Sequence, residues 1–251
     1  MNKTSQPGTF TYEPIKEPAY KRPFDLAVLI VAHLALAPLW IALWIIIPLA
    51  IKLDDRGPVF YTQRRLGLNG KAFTVRKFRS MVVDAESRTG AVWASKNDSR
   101  ITRVGRILRH TALDELPQVI NVWAGDMSLV GPRPERPELH VKFAKTAPEF
   151  VNRLLVRPGM AGMAQVYGEY DLAPPHKLNY DIAYIGSMSL FLDIKLLTLA
   201  VFNTLLGRWG HATGKTTAPT ASNIIPFTLA ETGERDSYSA DSQAENVEKA
   251  A

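Results

Sequence analysis

The chain has 251 residues, carries a net charge of +6 and contains no cysteine. The missing cysteines exclude disulfides and thiolate-bound metals, and the length suits one substantial domain with appendages. The segment from residue 211 onward carries −3, which leaves +9 on the rest of the chain. A basic body favours an anionic partner, and phosphates, nucleic acid and acidic lipid all qualify.

An apolar run extends from Leu26 to Ile51, after a flexible arm predicted for residues 1–20, and His33 is its one polar side chain. Its length exceeds the roughly 20 residues that a membrane span requires. It is also too long, and lies too late in the chain, for a secretory signal. Apolar side chains cover every face, a pattern that disfavours the core helix of a soluble protein.

Two arrangements of this run in a membrane stay open, a single span and a re-entrant hairpin. Lys and Arg residues flank the run on both sides. Cytoplasmic flanks prefer these residues, so a span would leave one basic flank outside. Pro38, near the middle of the run, lacks a backbone donor and clashes with the preceding helical turn. We therefore favour a re-entrant helix-break-helix hairpin over residues 21–56, broken at Pro38.

The following region predicts an α+β, mostly helical domain over residues 57–210. The stretch from Gly57 to Met81 is typical of a β-hairpin, because Asn69-Gly70 is the strongest short hairpin signal. A short helix is predicted for Gln118–Ala124. Pro117 would occupy its first position and Gly125 would lie just past its end.

Amphipathic segments flank this central part of the domain. Residues Arg103 to Ala112 predict one or two basic helical turns. Leu178 to Gly207 is helical in pattern, and its apolar section, Leu190 to Leu206, is interrupted by Asp193, Lys195 and Asn203. That section is too polar to cross a bilayer but is suited to lie against one. Residues 211–251 have little to bury and predict a disordered tail.

Two adjacent acids, Asp114 and Glu115, precede the short helix. One interpretation is structural, because Thr111-x-x-Asp114 fits a capping box in which side chains satisfy the first backbone amides. The other interpretation is chemical, because anions collect near the positive end of a helix. A carboxylate there can attack phosphorus, and its neighbour can hold Mg²⁺. From the pattern alone both interpretations stay open.

Arg133 is enclosed by Pro132 and Pro134, which fix its backbone and so pre-place its guanidinium. Arg binds phosphate through two parallel hydrogen bonds, which makes Arg133 a candidate phosphate ligand. Further cations belong to the same hypothesis: Arg76, Lys77, Arg79 and Arg109. The alternative is that these residues form a solvated face or a face toward lipid headgroups.

The stretch TALDELPQVINVWAGDMSLVGPRPE, residues 111–135, resembles the signature of the bacterial sugar transferase family, the monotopic phosphoglycosyl transferases. Further blocks resemble this family in the family's order, namely KRPFD, GPVFYTQRRLG, KFRSM, RPGMAGMAQV and LFLDIKLL. The resemblance covers residues 21–207. The Asp-Glu and Pro-Arg-Pro blocks together make it specific.

The resemblance implies a reaction, its partners and a location. A UDP-sugar gives its sugar-1-phosphate to undecaprenyl phosphate, a polyprenol phosphate, and UMP leaves. The product starts exopolysaccharide, capsule, O-antigen or glycoprotein glycan assembly. The enzyme would lie in the bacterial inner membrane, in contact with membrane lipid, with interfacial amphipathic helices around a cytoplasmic active site. Nucleic acid is not expected as a partner, a homodimer is compatible with the pattern, and the transferred sugar is not identified.

The resemblance also assigns roles by motif. Asp114 matches the nucleophile that forms an aspartyl-phosphosugar intermediate, and Glu115 matches the ligand of a Mg²⁺ cofactor. Pro38 matches the helix-breaking proline of the membrane hairpin. The candidate substrate-binding residues are basic side chains around the site: Lys77, Arg79, Arg109, Arg133 and Arg157.

Three positions depart from the family's pattern. Ala37 and Ala112 stand where many members have Ser, and Glu169 stands where many have an Arg that could bind the donor diphosphate. Arg157 or Lys177 would then replace that cation, or the donor preference differs. The departures leave a second function open, a catalytically silent membrane-bound adaptor of a polysaccharide assembly complex. About twenty residues precede the core, which predicts a chain close to the family's minimal core.

Overall fold

Helices make up most of the structure, and two small two-stranded sheets complete it, in agreement with the predicted α+β, mostly helical class. The computed structural model describes residues 16–87, 98–168 and 172–206. In chain order the α-helices are α1 (Lys21–Ala35), α2 (Ala37–Asp54), α3 (Arg103–His110), α4 (Val119–Ala124), α5 (Pro137–Thr146), α6 (Met163–Tyr167), α7 (Pro174–Gly186) and α8 (Leu190–Leu205). The strands are β1 (Phe60–Leu66), β2 (Ala72–Phe78), β3 (Ser128–Val130) and β4 (Gly159–Ala161). Short 3₁₀ helices occur at Leu68–Gly70, Leu113–Gln118 and Pro148–Leu155.

The apolar run forms two helices, α1 and α2, and the break between them lies at Leu36. Leu36 has φ −112° and ψ 22°, while Pro38 occupies the first turn of α2, where its missing N–H has no intrahelical partner to lose. The predicted break is therefore present, but two residues before Pro38. Across it the rings of His33 and Trp40 stack with centroids 4.4 Å apart. Seven residues of straight helix rise about 10.5 Å, so this contact indicates a bend.

The α2 helix is apolar and mostly exposed. Ile41, Ile45 and Leu53 are 62%, 62% and 78% exposed. Within the described ranges, α2 is the one helix with the length and composition to cross a membrane. A helix this exposed is not the buried core helix of a soluble protein. How α1 and α2 lie in a bilayer, and hence the re-entrant hairpin, stays a prediction.

The predicted β-hairpin is confirmed. Strands β1 and β2 pair antiparallel, with Phe60 opposite Phe78 at the open end and Leu66 opposite Ala72 at the turn. Gly70 has φ 74° in that turn, a left-handed value that glycine adopts without a Cβ penalty. The predicted short helix is also present as α4, and Gly125, with φ 86°, ends it.

The second sheet pairs β3 with β4 in parallel, and α1 covers the other edge of β3. Lys21 Nζ donates to the carbonyl of Val130 at 2.7 Å. Asp25 accepts from the backbone N–H of Leu129 and from the hydroxyl of Ser128, both at 3.0 Å. These side chains take the place of a neighbouring strand, so the first helix fixes the strand that leads into the Pro-Arg-Pro segment.

The C-terminal half of α2 packs against the domain of residues 57–210, which the resemblance predicts to be catalytic. Ile51 lies in an apolar cluster with Phe78 of β2 and Leu108 of α3. Asp54, at the end of α2, accepts from the backbone N–H of Val104 at 2.8 Å and so caps the start of α3. The apolar helix and α3 are therefore fixed relative to each other.

The predicted helical stretch Leu178–Gly207 is two helices rather than one. α7 ends at Gly186, and α8 begins after Ser189, whose hydroxyl accepts from the Leu192 N–H at 3.3 Å. A serine in this position competes with a continuous helix by capping a new one. The exposed apolar residues of α8 include Phe191, Phe202 and Leu205. Most of the predicted N-terminal arm and all of the predicted tail lie outside the described residues.

Candidate active site

The two acids lie on the 3₁₀ turn Leu113–Gln118, directly after α3. Ala112 precedes the turn with φ 53° and ψ 15°, left-handed values that few residues other than glycine adopt. Thr111 does not cap this turn: the residue at the N-cap is Ala112, no described side chain accepts from the first backbone N–H groups of the turn, and the Thr111 hydroxyl donates back to the Ile107 carbonyl at 2.9 Å. The capping-box interpretation of Thr111 and Asp114 is therefore wrong, and the acids are available for another role.

Glu115 is held between two cations from different elements. Lys77, on β2, donates to Glu115 Oε1 at 2.7 Å. Arg133, in the segment after β3, donates from both terminal nitrogens, with Nη1 3.0 Å from Oε2. Burial alone would raise the pKa of Glu115, but the charges of Arg133 and Lys77 hold that pKa well below its usual range. Glu115 is thus a permanent anion that orients the Arg133 guanidinium.

Asp114 has a different environment from its neighbour. Its side chain is 7% exposed, and in the described part of the chain no hydrogen bond or ion pair reaches its carboxylate. Burial first, and then the charge of Glu115, raise the pKa of Asp114 to about 6, while Lys77 and Arg109 act to lower it. At neutral pH the carboxylate is mostly ionised, yet it is poorly solvated and unpaired. A carboxylate in this state is suited to act as a nucleophile.

The acidic pair also fits Mg²⁺, an ion with oxygen ligands that it often shares with substrate phosphates. A carboxylate has about four lone-pair positions. The hydrogen bonds from Lys77 and Arg133 use three of them on Glu115, and a position on Oε2 is left. In the described ranges, no three acidic or histidine side chains lie close enough together to hold a metal ion. Water or substrate oxygens would therefore complete the coordination of Mg²⁺.

The structure separates the five basic residues that were predicted to bind substrate. Lys77 and Arg133 meet at Glu115, and Arg109, in the last turn of α3, acts on Asp114 through its charge. Arg79 is buried at the end of β2 and donates to the carboxylate and the carbonyl of Asp55, at 2.8 and 2.6 Å. Arg79 therefore joins the hairpin to the end of α2.

Arg157 is engaged by the segment that precedes α1. Its backbone N–H and its Nη1 each donate to a carboxylate oxygen of Glu17, both at 2.6 Å. The substrate-binding roles of all five residues, Arg79 and Arg157 included, stay predictions. Glu169, at the position where many family members carry an Arg, lies outside the described residues.

Sequence reasoning missed two guanidinium groups behind the Pro-Arg-Pro segment. Arg65 donates to the carbonyl of Pro134 at 3.0 Å, and Arg153 donates to the carbonyl of Arg133 at 2.8 Å. The sequence contained a signal for them. Prolines have no N–H, so a segment rich in prolines is held mainly through its carbonyls and needs donors from elsewhere.

A buried carboxylate next to a partly buried one that Lys and Arg side chains hold is an arrangement for phosphate-bearing substrates, and an exposed apolar helix packs beside it. Such a combination is expected of a membrane enzyme that transfers phosphate-linked groups. The chain belongs to the bacterial sugar transferase family, whose model matches residues 16–207. The resemblance inferred from the sequence motifs is confirmed.

Three curated relatives illustrate the similarity. The chain is 42% identical over 181 residues to the UDP-glucose:undecaprenyl-phosphate glucose-1-phosphate transferase of Xanthomonas campestris pv. campestris, across 70% of this chain and 37% of the relative. It is 38% identical over 193 residues to the UDP-N-acetylgalactosamine-undecaprenyl-phosphate N-acetylgalactosaminephosphotransferase of Aeromonas hydrophila, across 76% and 44%. It is 39% identical over 193 residues to the exopolysaccharide production protein PSS of Rhizobium leguminosarum bv. phaseoli, across 74% and 94%. The chain thus spans less than half of the first two relatives and nearly all of the third.

Proposed function

We propose that this protein transfers a sugar-1-phosphate from a UDP-sugar to undecaprenyl phosphate and releases UMP. The product, a polyprenol-diphosphate sugar, would start the assembly of an exopolysaccharide, capsule, O-antigen or glycoprotein glycan. The observation that carries this proposal is the buried carboxylate of Asp114, which has no partner among the described residues, beside Glu115, which Lys77 and Arg133 hold. The names of the two transferases above support the choice of donor and acceptor.

In the first step Asp114 attacks the phosphorus that carries the sugar. A bond forms between a carboxylate oxygen and this phosphorus, and the bond from phosphorus to the bridging oxygen breaks. UMP leaves with that electron pair, and the enzyme holds an aspartyl-phosphosugar. The positive charges of Lys77, Arg109 and Arg133 would offset the charge of the donor diphosphate, which is the main task in phosphoryl transfer.

In the second step a phosphate oxygen of undecaprenyl phosphate attacks the same phosphorus. The bond from phosphorus to Asp114 breaks, the polyprenol-diphosphate sugar forms, and Asp114 returns as a carboxylate. Two steps allow a water-soluble donor and a lipid acceptor to use one site in turn. A pKa of about 6 suits Asp114 to both steps, since the group is ionised when it attacks and remains a good leaving group.

Glu115 would hold Mg²⁺ at its remaining lone-pair position, with Asp114 adjacent. When bound, Mg²⁺ supplies neutralisation of phosphate charge and polarisation of the phosphorus–oxygen bonds. Glu115 would then have a second task, because it also orients the two terminal nitrogens of Arg133. An Arg oriented in this way can recognise two phosphate oxygens at once.

The proposed location is the cytoplasmic face of the bacterial inner membrane, with α1 and α2 forming a re-entrant hairpin. The contacts between α2 and the catalytic domain support it. Leu113 and Leu116, which flank the acidic pair, pack against the cluster that contains Ile51 of α2. The acidic turn therefore lies next to an exposed apolar helix, where a lipid phosphate could meet a soluble donor.

The test is UMP release by the detergent-solubilised protein, supplied with Mg²⁺, undecaprenyl phosphate and a panel of UDP-sugars. We expect release with at least one sugar and its loss, by more than about 10³-fold, in Asp114→Asn, because the amide cannot form the acyl phosphate. A wild-type protein that also gains mass from the sugar phosphate, with no gain in the variant, would identify the intermediate. Full activity of Asp114→Asn would overturn the assignment of the nucleophile.

A further inference from the structure

The backbone of the Pro-Arg-Pro segment is held by its carbonyl groups. Four successive carbonyls, those of residues 132 to 135, each accept a hydrogen bond from another part of the chain. The Pro132 carbonyl accepts from Gly159 N at 2.9 Å, and the Glu135 carbonyl accepts from Leu66 N at 3.0 Å. The two central carbonyls accept from guanidinium groups. The segment therefore takes its position from donors supplied by surrounding elements.

Arg153 is the donor to the central residue of this segment. Its side chain is buried, its Nη2 lies 2.8 Å from the Arg133 carbonyl oxygen, and its Nε lies 2.6 Å from Asp181 Oδ2 on α7. The guanidinium also lies over the ring of Phe150, 4.6 Å from the centroid. The ion pair, the hydrogen bond to the carbonyl and the ring contact together fix the orientation of the Arg153 guanidinium.

The two arginines form a continuous path to the acidic turn. Asp181 fixes Arg153, Arg153 fixes the carbonyl of Arg133, and the Arg133 side chain reaches Glu115. A displacement of the Arg133 peptide would move the terminal nitrogens of its guanidinium by a similar distance. Misplacement of a catalytic group by about 1 Å can lower a rate about 100-fold.

We propose that Arg153 is a positioning residue for the transfer, which acts through the Arg133 carbonyl to hold the Arg133 guanidinium at the acidic pair. The proposal rests on the proposed function for the identity of the reaction, but the positioning itself is independent of the substrate. Arg153 does not reach Glu115; its bonds go to Asp181 and to the backbone. Removing Arg153 should therefore lower the rate only in a protein that still has Arg133.

The first test is a double-mutant cycle on kcat/KM for UMP release with Arg153→Met and Arg133→Met. We expect Arg153→Met alone to lower kcat/KM by about 10- to 100-fold. Added to Arg133→Met, the same change should lower it by less than about 3-fold, because the residue through which it acts is already gone. Equal losses in both backgrounds would overturn the proposal. Arg153→Lys, which keeps the charge but not both bonds, gives the same comparison if the Met variant does not fold.

Arg136→Met is the matched control. Arg136 lies at the end of the same segment and pairs with Glu86 at 3.0 and 3.1 Å, and its side chain makes none of the bonds to carbonyls 132–135. We expect its loss to change kcat/KM by less than about 3-fold, because its partly buried pair with Glu86 is separate from the bonds that hold the Arg133 carbonyl. A loss as large as that of Arg153→Met would mean that any ion pair near the segment has the effect, against the proposal.

A second readout separates this inference from the proposed function. The guanidinium ¹⁵N resonances of Arg133, identified by their loss in Arg133→Met, report whether its side chain is immobilised. We expect slow rotation in the wild type and in Arg136→Met, and averaged signals in Arg153→Met and Arg153→Lys. An immobilised Arg133 in both Arg153 variants would overturn the inference, whereas a wild type without turnover on any UDP-sugar would count against the function alone.

Discussion

At the scale of single residues, Asp114 and Glu115 show how two neighbouring carboxylates acquire different chemistry. Side chains on a 3₁₀ turn point about 120° apart, so adjacent residues meet different neighbours. Glu115 meets Lys77 and Arg133, while Asp114 remains unpaired in the described structure. The pKa of Glu115 falls well below its usual range and that of Asp114 rises to about 6. A fixed anion and a reactive one thus occupy successive positions.

Asp114→Asn should stabilise the protein at alkaline pH. The pKa of Asp114 in the fold, about 6, exceeds its ordinary value of 3.8. The protonated acid therefore contributes stability below about pH 4, and this contribution is lost as pH rises through 6. Asparagine does not ionise, so the variant does not lose this stability. Its unfolding free energy should equal that of the wild type near pH 4 and exceed it by up to about 3 kcal/mol at pH 8.

Denaturant unfolding at both pH values, in EDTA so that no metal contributes, would measure this gain. Glu149→Gln, at an exposed position, is the control for loss of a carboxylate and should change the unfolding free energy by less than about 0.5 kcal/mol. A variant that is less stable than the wild type at pH 8 would contradict the idea that the ionised Asp114 is strained by burial.

At the scale of elements, close contact between β2 and α3 places the acidic turn. Gly105, in the first turn of α3, lies against the chain just after β2, and a Cβ there would stand 2.0 Å from the carbonyl oxygen of Ser80. Gly105→Ala must therefore push α3 away from backbone that cannot yield. We expect a loss of about 1–3 kcal/mol in unfolding free energy and a larger relative loss of UMP release. Thermal unfolding and activity of the same preparation would show both.

Gly186→Ala is the matched comparison for this change. Gly186 is the last residue of α7, and nothing lies within 4 Å of a Cβ at that position. Alanine is favoured over glycine in helices by up to about 1 kcal/mol, so this variant should be as stable as the wild type or slightly more stable. Normal activity in Gly105→Ala would show that α3 does not need this contact to place the acidic turn.

The sequence predicted the elements that are specified by neighbouring residues and missed those that depend on distant contacts. The hairpin was predicted because Asn69-Gly70 specifies its turn locally, and α4 because Pro117 and Gly125 mark both of its ends. The parallel pair β3 and β4 was not predicted, since each strand has three residues and its partner lies about 30 residues away. Strands this short show no periodicity, and their pairing depends on the tertiary structure.

The site could be predicted in part for the same reason. The motif resemblance indicated Asp114, Glu115, Lys77 and Arg133, and the last three do meet. From residue types alone, the acids were equally compatible with a helix cap, and only the structure shows that the turn begins after Ala112 without a side-chain cap. Arg65 and Arg153 were missed because a proline-rich segment indicates that its carbonyls need donors but does not identify the distant side chains that supply them.

At the scale of the whole molecule, one buried network joins both ends of the described chain. Lys21 Nζ, at the start of α1, lies 3.0 Å from Asp193 Oδ2 in α8 and also donates to the Val130 carbonyl at the end of β3. Tyr184 of α7 donates to Asp193 at 2.8 Å. The network therefore connects the first apolar helix, the last helix and the strand that leads to Arg133. A displacement of α1 would be transmitted to the active site.

Lys21→Met should destabilise the protein more than any loss of packing explains, since methionine retains the apolar length of the lysine side chain. The substitution leaves Asp193, with 0% exposure, as a buried charge without its cation. Removing one partner of a buried ion pair typically costs about 3–5 kcal/mol, and most of that cost is the charge left behind. Adding Asp193→Asn removes this charge, keeps an acceptor for Tyr184 and should recover most of the loss.

Apparent melting temperatures in one detergent would compare the single and double variants with Lys142→Met, which changes an exposed lysine of α5 and should have little effect. If the double variant is no more stable than Lys21→Met, the contact to the Val130 carbonyl, rather than the ion pair, is what ties α1 to the site.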